Sequence, residues 1–244
     1  LDDRELRNYW ASSGATSLLP KFVDDMEMKM EYFDHCFIER DTLETSDVVN
    51  GGAELFLYQS GYLTIKGYDD GVYILGFPNF EVRKALYRVV VPALTMKSNS
   101  EVVSAQSFLR KMMQDGNTAE AKKALKALIA DVPYSNKKMA SMDMEERYRL
   151  IMSTIFRALG FRVEVERMLA TGRIDMIVEV PSFIYVLELK LSNNGGISAA
   201  ESQIKEKSYT EPFKADKRKI IALAVELDEM GKGLIDWKEV DESL

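Results

Sequence analysis

Apolar and polar side chains alternate along two neighbouring stretches in the second half of the chain, residues 172–180 and 183–191. Since successive side chains of a strand point to opposite faces of a sheet, the pattern predicts two antiparallel strands joined by a tight turn. Pro181 cannot take the positive φ that a two-residue primed turn requires, so a four-residue turn from Val180 to Phe183 is favoured. This turn pairs Val180 with Phe183 and sets the register of every pair behind them.

That register divides the two strands into an apolar face and a charged face. Asp175 lies directly opposite Glu188, and Arg173 lies opposite Lys190, so two carboxylates and an ammonium group meet. Such a group of side chains is able to bind a divalent metal ion and to activate water. A three-residue turn would shift the register by one and separate the charges. The apolar face comprises Ile174, Met176, Val178, Val180, Phe183, Tyr185, Leu187, Leu189 and Leu191.

The elements around this hairpin follow from helix signals and from one continuous apolar run. A capping-box pattern at Asp143 begins a helix that Gly160 ends. A strand over 161–168 precedes the hairpin, and a helix over 198–210 and a buried strand over 219–226 follow it. The predicted order is helix, three antiparallel strands, helix and strand.

The first half is mainly helical with one small hairpin. Strands at 61–66 and 71–76 are joined across Gly67-Tyr-Asp-Asp70, between a helix at 47–60 and another that starts at Pro78-Asn79. This arrangement resembles a small winged-helix unit. Further helices are predicted within residues 1–23 and over 101–130, the latter interrupted at Asp115-Gly-Asn117. The hairpin residues Tyr62, Lys66 and Tyr68 are candidates for DNA contact, although winged helices also bind proteins.

Two modules are therefore expected, with an α+β or α/β fold overall. Residues 1–100 form the winged-helix-like unit, residues 101–137 a helical connector, and residues 138–244 an α/β core. The chain starts without an initiator methionine, which suggests a part of a longer protein.

Composition narrows the chemistry. The 244 residues include one cysteine, Cys36, and one histidine, so an internal disulfide and a Cys/His zinc site are both excluded. A metal would have to be a hard ion that prefers oxygen ligands, such as Mg²⁺ or Mn²⁺. The net charge of −7 argues against general coating of nucleic acid. The sequence has no apolar run of the roughly 20 residues that span a bilayer and no signal peptide, so a cytoplasmic protein without membrane contact is expected.

Asp175 followed by Glu188-Leu-Lys190 fits the active-site pattern of the PD-(D/E)xK nuclease superfamily, with Ile174 in place of the motif proline. The chain further resembles the nuclease-like domain at the C-terminus of predicted AAA-ATPase proteins of bacteroidetes. That resemblance rests on Gly172-Arg-Ile-Asp175, Tyr185-Val-Leu-Glu-Leu-Lys190 and Gln203-Ile-Lys-Glu-Lys-Ser-Tyr209. Three earlier segments resemble the lid end of the ATPase region: Asn8-Tyr-Trp10, Tyr58-Gln-Ser-Gly-Tyr-Leu-Thr-Ile65 and Leu75-Gly-Phe-Pro-Asn79.

The resemblance implies a restriction-endonuclease-like αβββαβ core that hydrolyses phosphodiester bonds of nucleic acid, with DNA the favoured substrate. Asp175 and Glu188 would hold Mg²⁺ or Mn²⁺, with the Leu189 carbonyl as a further ligand, and Lys190 would orient or deprotonate the attacking water. Glu145 and Glu166 would complete the acidic cluster. Gln203 and Lys207, four residues apart on one helix, would face the site, and Tyr209 is expected to pack.

The resemblance also implies an ATPase domain as a partner within the same bacterial protein. No Gly-x-x-x-x-Gly-Lys-Ser/Thr motif occurs in this sequence, so that domain would lie in a missing N-terminal portion.

Other interpretations of the charged cluster stay open. It is also consistent with a buried salt-bridge cluster or with a solvated face of the hairpin. An inactive nuclease fold that senses nucleic acid or a protein and signals to the ATPase is the main functional alternative, and an oligomerisation part with exposed apolar surface is a third. The sequence leaves the oligomeric state and the strandedness of the substrate open.

Overall fold

The computed structural model of the protein describes residues 30–45, 51–95, 97–130 and 143–241. The chain divides into two compact units, Leu1–Ala93 and Leu94–Leu244. The helices predicted within residues 1–23 lie outside the described residues. Within the described ranges, no helix is long and apolar enough to cross a membrane.

The described part of the first unit contains a three-stranded antiparallel sheet with helices around it. A 3-10 turn at Met30–Asp34 precedes the strands, which lie in the order β1-β3-β2. The elements are β1 (Cys36–Glu39), α1 (Arg40–Leu43), α2 (Gly52–Gln59), β2 (Thr64–Asp69), β3 (Val72–Gly76) and α3 (Phe80–Thr95).

The hairpin of β2 and β3 is confirmed, but the predicted position of its turn is wrong. The turn residues are Asp70 and Gly71, both with positive φ (40° and 85°), as in the Asp-Gly turns that join twisted strands. Gly67 lies within β2, beside a bulge at Lys66. Tyr62 is buried, so its predicted contact with DNA is wrong, whereas Lys66 and Tyr68 are exposed.

The strand β1 was not predicted, because its four residues are too short to show a pattern. It pairs with β3 from Cys36–Leu75 to Glu39–Val72. Cys36 is wholly buried there, and burial raises the pKa of its thiol to about 12.

The second unit contains the predicted helix, three strands, helix and strand, with one further strand at the end. Its elements are α4 (Asn99–Asp115), α5 (Thr118–Ile129), α6 (Met144–Ala158), β4 (Arg162–Leu169), β5 (Gly172–Glu179), β6 (Phe183–Leu191), α7 (Gly196–Lys207), β7 (Lys219–Leu227) and β8 (Leu234–Val240). Asp143 caps α6, and Gly160 (φ 84°) follows its end, as the sequence predicted. The cap accepts its hydrogen bond from the Glu145 amide, however, and not from Glu146 as the predicted capping box requires.

The five strands form one sheet in the order β4-β5-β6-β7-β8, in which only β6 and β7 run parallel. Helix α7 packs against β6, β7 and β8, and α6 packs against β4, β5 and β6. Successive side chains of β6 point to opposite faces of the sheet. Ile184 and Val186 pack into the core beneath α7. Tyr185 lies on the other face, where its hydroxyl donates to the Met113 carbonyl of α4 at 2.6 Å.

The helical hairpin of α4 and α5 covers β8 as well. The Trp237 indole donates to the Thr118 carbonyl at 3.0 Å, and Lys122 pairs with Asp236 at 2.6 Å. The Lys126 ammonium donates to the Ile235 carbonyl at 3.2 Å. This hairpin is therefore packed onto the sheet along its edge strand.

The register of β5 with β6 is as predicted near the turn. Met176 pairs with Leu187 and Glu179 with Ile184, and the Val180 amide donates to the Phe183 carbonyl at 3.0 Å. The prediction of an apolar face and a polar face is wrong in one respect. Residues 174–178 and 184–189 are all buried, because helices cover both sides of the sheet.

Gly116 joins α4 to α5 in a conformation that a side chain would not tolerate. Its φ is 72°, and a Cβ there would lie 2.5 Å from the Phe183 ring. We predict that Gly116→Ala lowers the free energy of unfolding of the second unit by about 2–4 kcal/mol, from the left-handed backbone and the steric overlap together. Urea denaturation measures this loss.

The two causes separate in a Phe183→Leu background, because the smaller side chain removes the overlap. There Gly116→Ala should cost only about 1–2 kcal/mol, the backbone part. Equal losses in both backgrounds would show that the ring plays no part.

Candidate metal centre

Strands β5 and β6 separate at Asp175. Their pairing ends at Met176–Leu187, although a regular continuation would have Leu189 exchange hydrogen bonds with Ile174. Instead the Leu189 amide donates to Oδ2 of Asp175 at 2.9 Å. The Asp175 carboxylate thus takes the place of a strand neighbour. Because N–H and C=O of a strand residue point to the same side, the Leu189 carbonyl is directed toward this opening as well.

The other neighbour of β5 is irregular at the same level. The pairing of β4 with β5 passes from Val165–Met176 to Arg167–Ile174 and skips Glu166 and Asp175. Glu166 has φ 53°, a left-handed conformation that is costly for a residue with a side chain. Backbone distortion on both sides of β5 therefore coincides with one residue, Asp175.

The two carboxyl groups of the predicted pair are buried and interact directly. Asp175 is 4% exposed and Glu188 is 0% exposed. Burial and, after it, the negative charge of Asp175 raise the pKa of Glu188 to about 8 against the opposing effect of the Lys190 ammonium. The fold therefore favours the protonated form of Glu188 more than the unfolded chain does. This burial rules out the solvated-face interpretation.

Lys190 lies beside Glu188, as expected, with its Nζ 2.8 Å from Oε1. Burial alone would lower the pKa of this lysine, but the hydrogen bond to Glu188 and the nearby acids raise it overall. Lys190 is therefore a charged donor fixed at the edge of the acid pair.

Helix α6 contributes one of the predicted acids and one cation that was not predicted. Burial and then the charge of Asp175 raise the pKa of Glu145, whereas Lys190 and Arg149 oppose this, so Glu145 adjoins the pair. Arg149, one helical turn further on, places its guanidinium nitrogens 3.3 Å from Asp175 Oδ1 and 3.4 Å from Glu166 Oε1. Its spacing of four residues from Glu145 was the available sequence signal.

Glu166 lies at the rim rather than within the buried pair. Its side chain is 44% exposed and receives Arg173 at 2.8 Å in addition to Arg149. The predicted position of Arg173 opposite Lys190 is not observed, because β5 and β6 separate before that pair. Arg173 binds Glu166 of β4 instead.

The two predicted residues of α7 differ in their relation to the site. Gln203 donates to the Tyr209 hydroxyl at 3.0 Å, and Tyr209 donates to the Arg173 carbonyl at 2.7 Å. Tyr209 is buried, and burial, with smaller effects of Glu188 and Asp175, raises its pKa. Gln203 thus reaches the site through Tyr209, which does more than pack. Lys207 is exposed, with its methylene groups near Gly172.

The donor set suits a hard divalent ion. Oε2 of Glu188 is buried and has no hydrogen-bond partner in the described part of the chain, which is costly unless a ligand meets it. Asp175, Glu188 and the Leu189 carbonyl offer oxygen atoms of the kind that Mg²⁺ and Mn²⁺ bind. Across residues 30–45, 51–95, 97–130 and 143–241, no three acidic, histidine or cysteine side chains converge as a metal site, so Asp175 and Glu188 form a pair of acids rather than a set of three.

Comparison with known families matches the segment in which this pair lies. Residues 143–237 match the PD-(D/E)XK nuclease superfamily. The matched segment runs from the cap of α6 into β8 and contains Asp175, Glu188 and Lys190. Members of this nuclease superfamily generally use divalent metal ions.

A similarity also extends beyond the superfamily domain. The chain is 26% identical over 248 residues to an uncharacterized protein in the vnfD 5′ region of Azotobacter chroococcum mcd 1, covering 96% of this chain and 46% of that protein. The chain thus spans less than half the length of this curated relative. No solved structure gives a significant match.

We predict that Glu188→Gln stabilises the metal-free protein above neutral pH. The unfolded chain loses the Glu188 proton near the ordinary value of 4.5, and the folded chain loses it near 8, so wild-type stability falls as pH rises through this interval. The neutral amide avoids this loss. In EDTA at pH 8.5 the variant should melt about 2 °C or more above wild type, and at pH 5 the two should be closer.

The half-exposed Glu166 provides a control at the same site. Glu166→Gln should show no such gain with pH, since its carboxylate is 44% exposed and bound by two arginines. A Glu188→Gln protein that is less stable than wild type at pH 8.5 would contradict the prediction.

Proposed function

We propose that residues 138–244 hydrolyse phosphodiester bonds of nucleic acid with the help of a divalent metal ion. The observation that carries this proposal is the buried contact of Asp175 with Glu188, with one unpartnered carboxylate oxygen and Lys190 at its edge. It lies in a nuclease superfamily domain. Two acids in contact away from water cost stability in the metal-free fold, and a site that binds a cation accounts for that cost.

The residues divide the work by their chemistry. Asp175, Glu188 and the Leu189 carbonyl would hold Mg²⁺ or Mn²⁺, and such an ion neutralises charge on the phosphate and acidifies water. Lys190, charged and fixed by Glu188, orients the attacking water and stabilises the negative charge that develops on the phosphate. Glu145 adds negative charge beside the pair. Gln203 acts through Tyr209 on the backbone of Arg173, next to the site.

We further propose that the chain is a fragment of a larger AAA-ATPase-like protein. The segments that resemble the lid end of such ATPases support the ATPase, and a relative of which this chain covers 46% supports a longer parent protein. In this proposal residues 1–100 are a lid-like, winged-helix-like unit, and residues 101–137 connect it to the nuclease domain. The substrate would be nucleic acid, with DNA favoured.

A second candidate is an inactive, regulatory nuclease fold that binds nucleic acid or a protein. The pairing of each acid with its own cation favours it, since Arg149 meets Asp175 and Lys190 meets Glu188. Crystals soaked in Mn²⁺ separate the two candidates. The enzyme predicts anomalous density between Asp175 and Glu188, and the inactive module predicts none there.

For the enzyme, we predict that Glu188→Ala and Lys190→Ala each reduce metal-dependent cleavage of DNA or RNA by at least about 100-fold. Glu188→Ala removes an expected metal ligand, and Lys190→Ala removes the donor that orients water. A gel assay with labelled single- and double-stranded substrates in Mg²⁺ and in Mn²⁺ measures the loss, and circular dichroism shows whether the fold is retained.

Glu201→Ala and Lys205→Ala are matched controls. These residues form an ion pair at 3.0 Å on the surface of the same domain, so both variants should cleave like wild type. Undiminished cleavage by Glu188→Ala and Lys190→Ala would refute the catalytic assignment.

A further inference from the structure

Arg149 holds a position that the proposed chemistry does not explain. It projects from α6, its side chain is 12% exposed, and its two terminal nitrogens meet acids of two different strands, Asp175 of β5 and Glu166 of β4. These are the two residues that the β4–β5 pairing skips. The guanidinium group therefore connects β4 and β5 at the point where the pairing between these two strands is interrupted.

The two acids of the buried pair have different cations. Lys190 meets Oε1 of Glu188 and leaves Oε2 without a partner in the described residues. Asp175 has a partner on each oxygen, Arg149 on Oδ1 and the Leu189 amide on Oδ2. A divalent ion bound by both acids must therefore compete at Asp175 with a cation that is already there.

Arginine is suited to this competition because a guanidinium group keeps its charge at any pH that a folded protein meets. Its repulsion of an incoming cation cannot be relieved by losing a proton. Glu166, however, holds the second guanidinium nitrogen and is itself 44% exposed. It offers Arg149 a place to remain when Asp175 turns to another partner.

We propose that Arg149 is the internal counter-cation of Asp175, which stabilises the metal-free site and weakens its affinity for divalent ions. This inference rests on the proposed metal-dependent function. Arg149 then sets the concentration of Mg²⁺ or Mn²⁺ at which the site is filled. It also stabilises the buried acids when no ion is bound.

The proposal predicts opposite effects on stability and on metal affinity. Removing the charge in Arg149→Gln leaves Asp175 uncompensated and lowers the melting temperature in EDTA. The same change removes a repulsive charge, so the dissociation constant for Mn²⁺ should fall at least about fivefold. A residue that served only to pack α6 onto the sheet would lose stability and affinity together.

Three variants provide the comparison. Arg173→Gln removes a cation that meets Glu166 and not Asp175, so it should change the Mn²⁺ affinity by less than about twofold. Arg149→Lys keeps a positive charge and should not tighten binding. Asp175→Asn removes the negative charge that Arg149 meets, so Arg149→Gln should change the melting temperature little in that background.

The experiment titrates the full chain with Mn²⁺ after EDTA treatment and dialysis, reads free Mn²⁺ by electron paramagnetic resonance, and records melting with and without the ion. Tighter binding by Arg149→Gln, lost in the Asp175→Asn background, supports the proposal. Unchanged or weaker binding by Arg149→Gln overturns it, while the proposed function stands if Asp175→Asn still abolishes Mn²⁺ binding.

If Mn²⁺ does not bind, or binds without needing Asp175 and Glu188, the proposed function is refuted. The part of the inference that concerns metal affinity is then refuted as well. The melting data then decide the counter-cation half by themselves. The counter-cation role is overturned if Arg149→Gln lowers the melting temperature of the Asp175→Asn protein as much as that of wild type. It is supported if Arg149→Gln lowers the melting temperature only where Asp175 is present.

Discussion

The contact of two carboxyl groups inside the sheet is the constraint to which the second unit is fitted. Like charges in a poorly hydrated interior repel, and each also loses its hydration. Asp175 and Glu188 are nevertheless 4% and 0% exposed. The fold tolerates them by supplying positive side chains from α6 and β6, by a backbone amide, and by a raised pKa of Glu188, which favours its protonated form. Each measure is local to the acids, so the rest of the sheet retains ordinary apolar packing.

The backbone adapts to the same constraint. A carboxylate that accepts a strand amide replaces a bond of the sheet, so β5 cannot remain paired with β6 beyond Met176. On its other side β5 loses its partner at Glu166, which takes a left-handed conformation. Irregular backbone at this point is the local cost of placing charged oxygen atoms between strands. The parallel pairing of β6 with β7 is unbroken from Phe183 to Leu191 and keeps Glu188 and Lys190 fixed.

The contact of Asp175 with Glu188 could be predicted from the sequence because its geometry is set over a short distance. The turn at Pro181 fixes the register, and register brings Asp175 level with Glu188. Arg149 was missed since its contacts with Asp175 and Glu166 depend on how α6 packs over the sheet, which no pattern within the helix reveals. The predicted position of Arg173 opposite Lys190 was wrong because β5 and β6 separate at Asp175. The Asp175 side chain causes this separation, which the hydrophobic pattern does not reveal. The strands β1 and β8 were missed for a different reason. The first has four residues, and β8 buries only Leu234, Trp237 and Val240, a spacing that does not show the alternation of a strand.

The hairpin of α4 and α5 shows how far the folded unit around the acid pair extends along the chain. Its helices meet the sheet through Met113, Thr118 and Lys126, all of which precede the segment 143–237 shared with the superfamily. A fragment cut to the shared segment would leave the Tyr185 hydroxyl and the Trp237 indole without their acceptors and would expose apolar surface to water. The segment matched by the superfamily is therefore shorter than the compact unit in which it is packed, Leu94–Leu244.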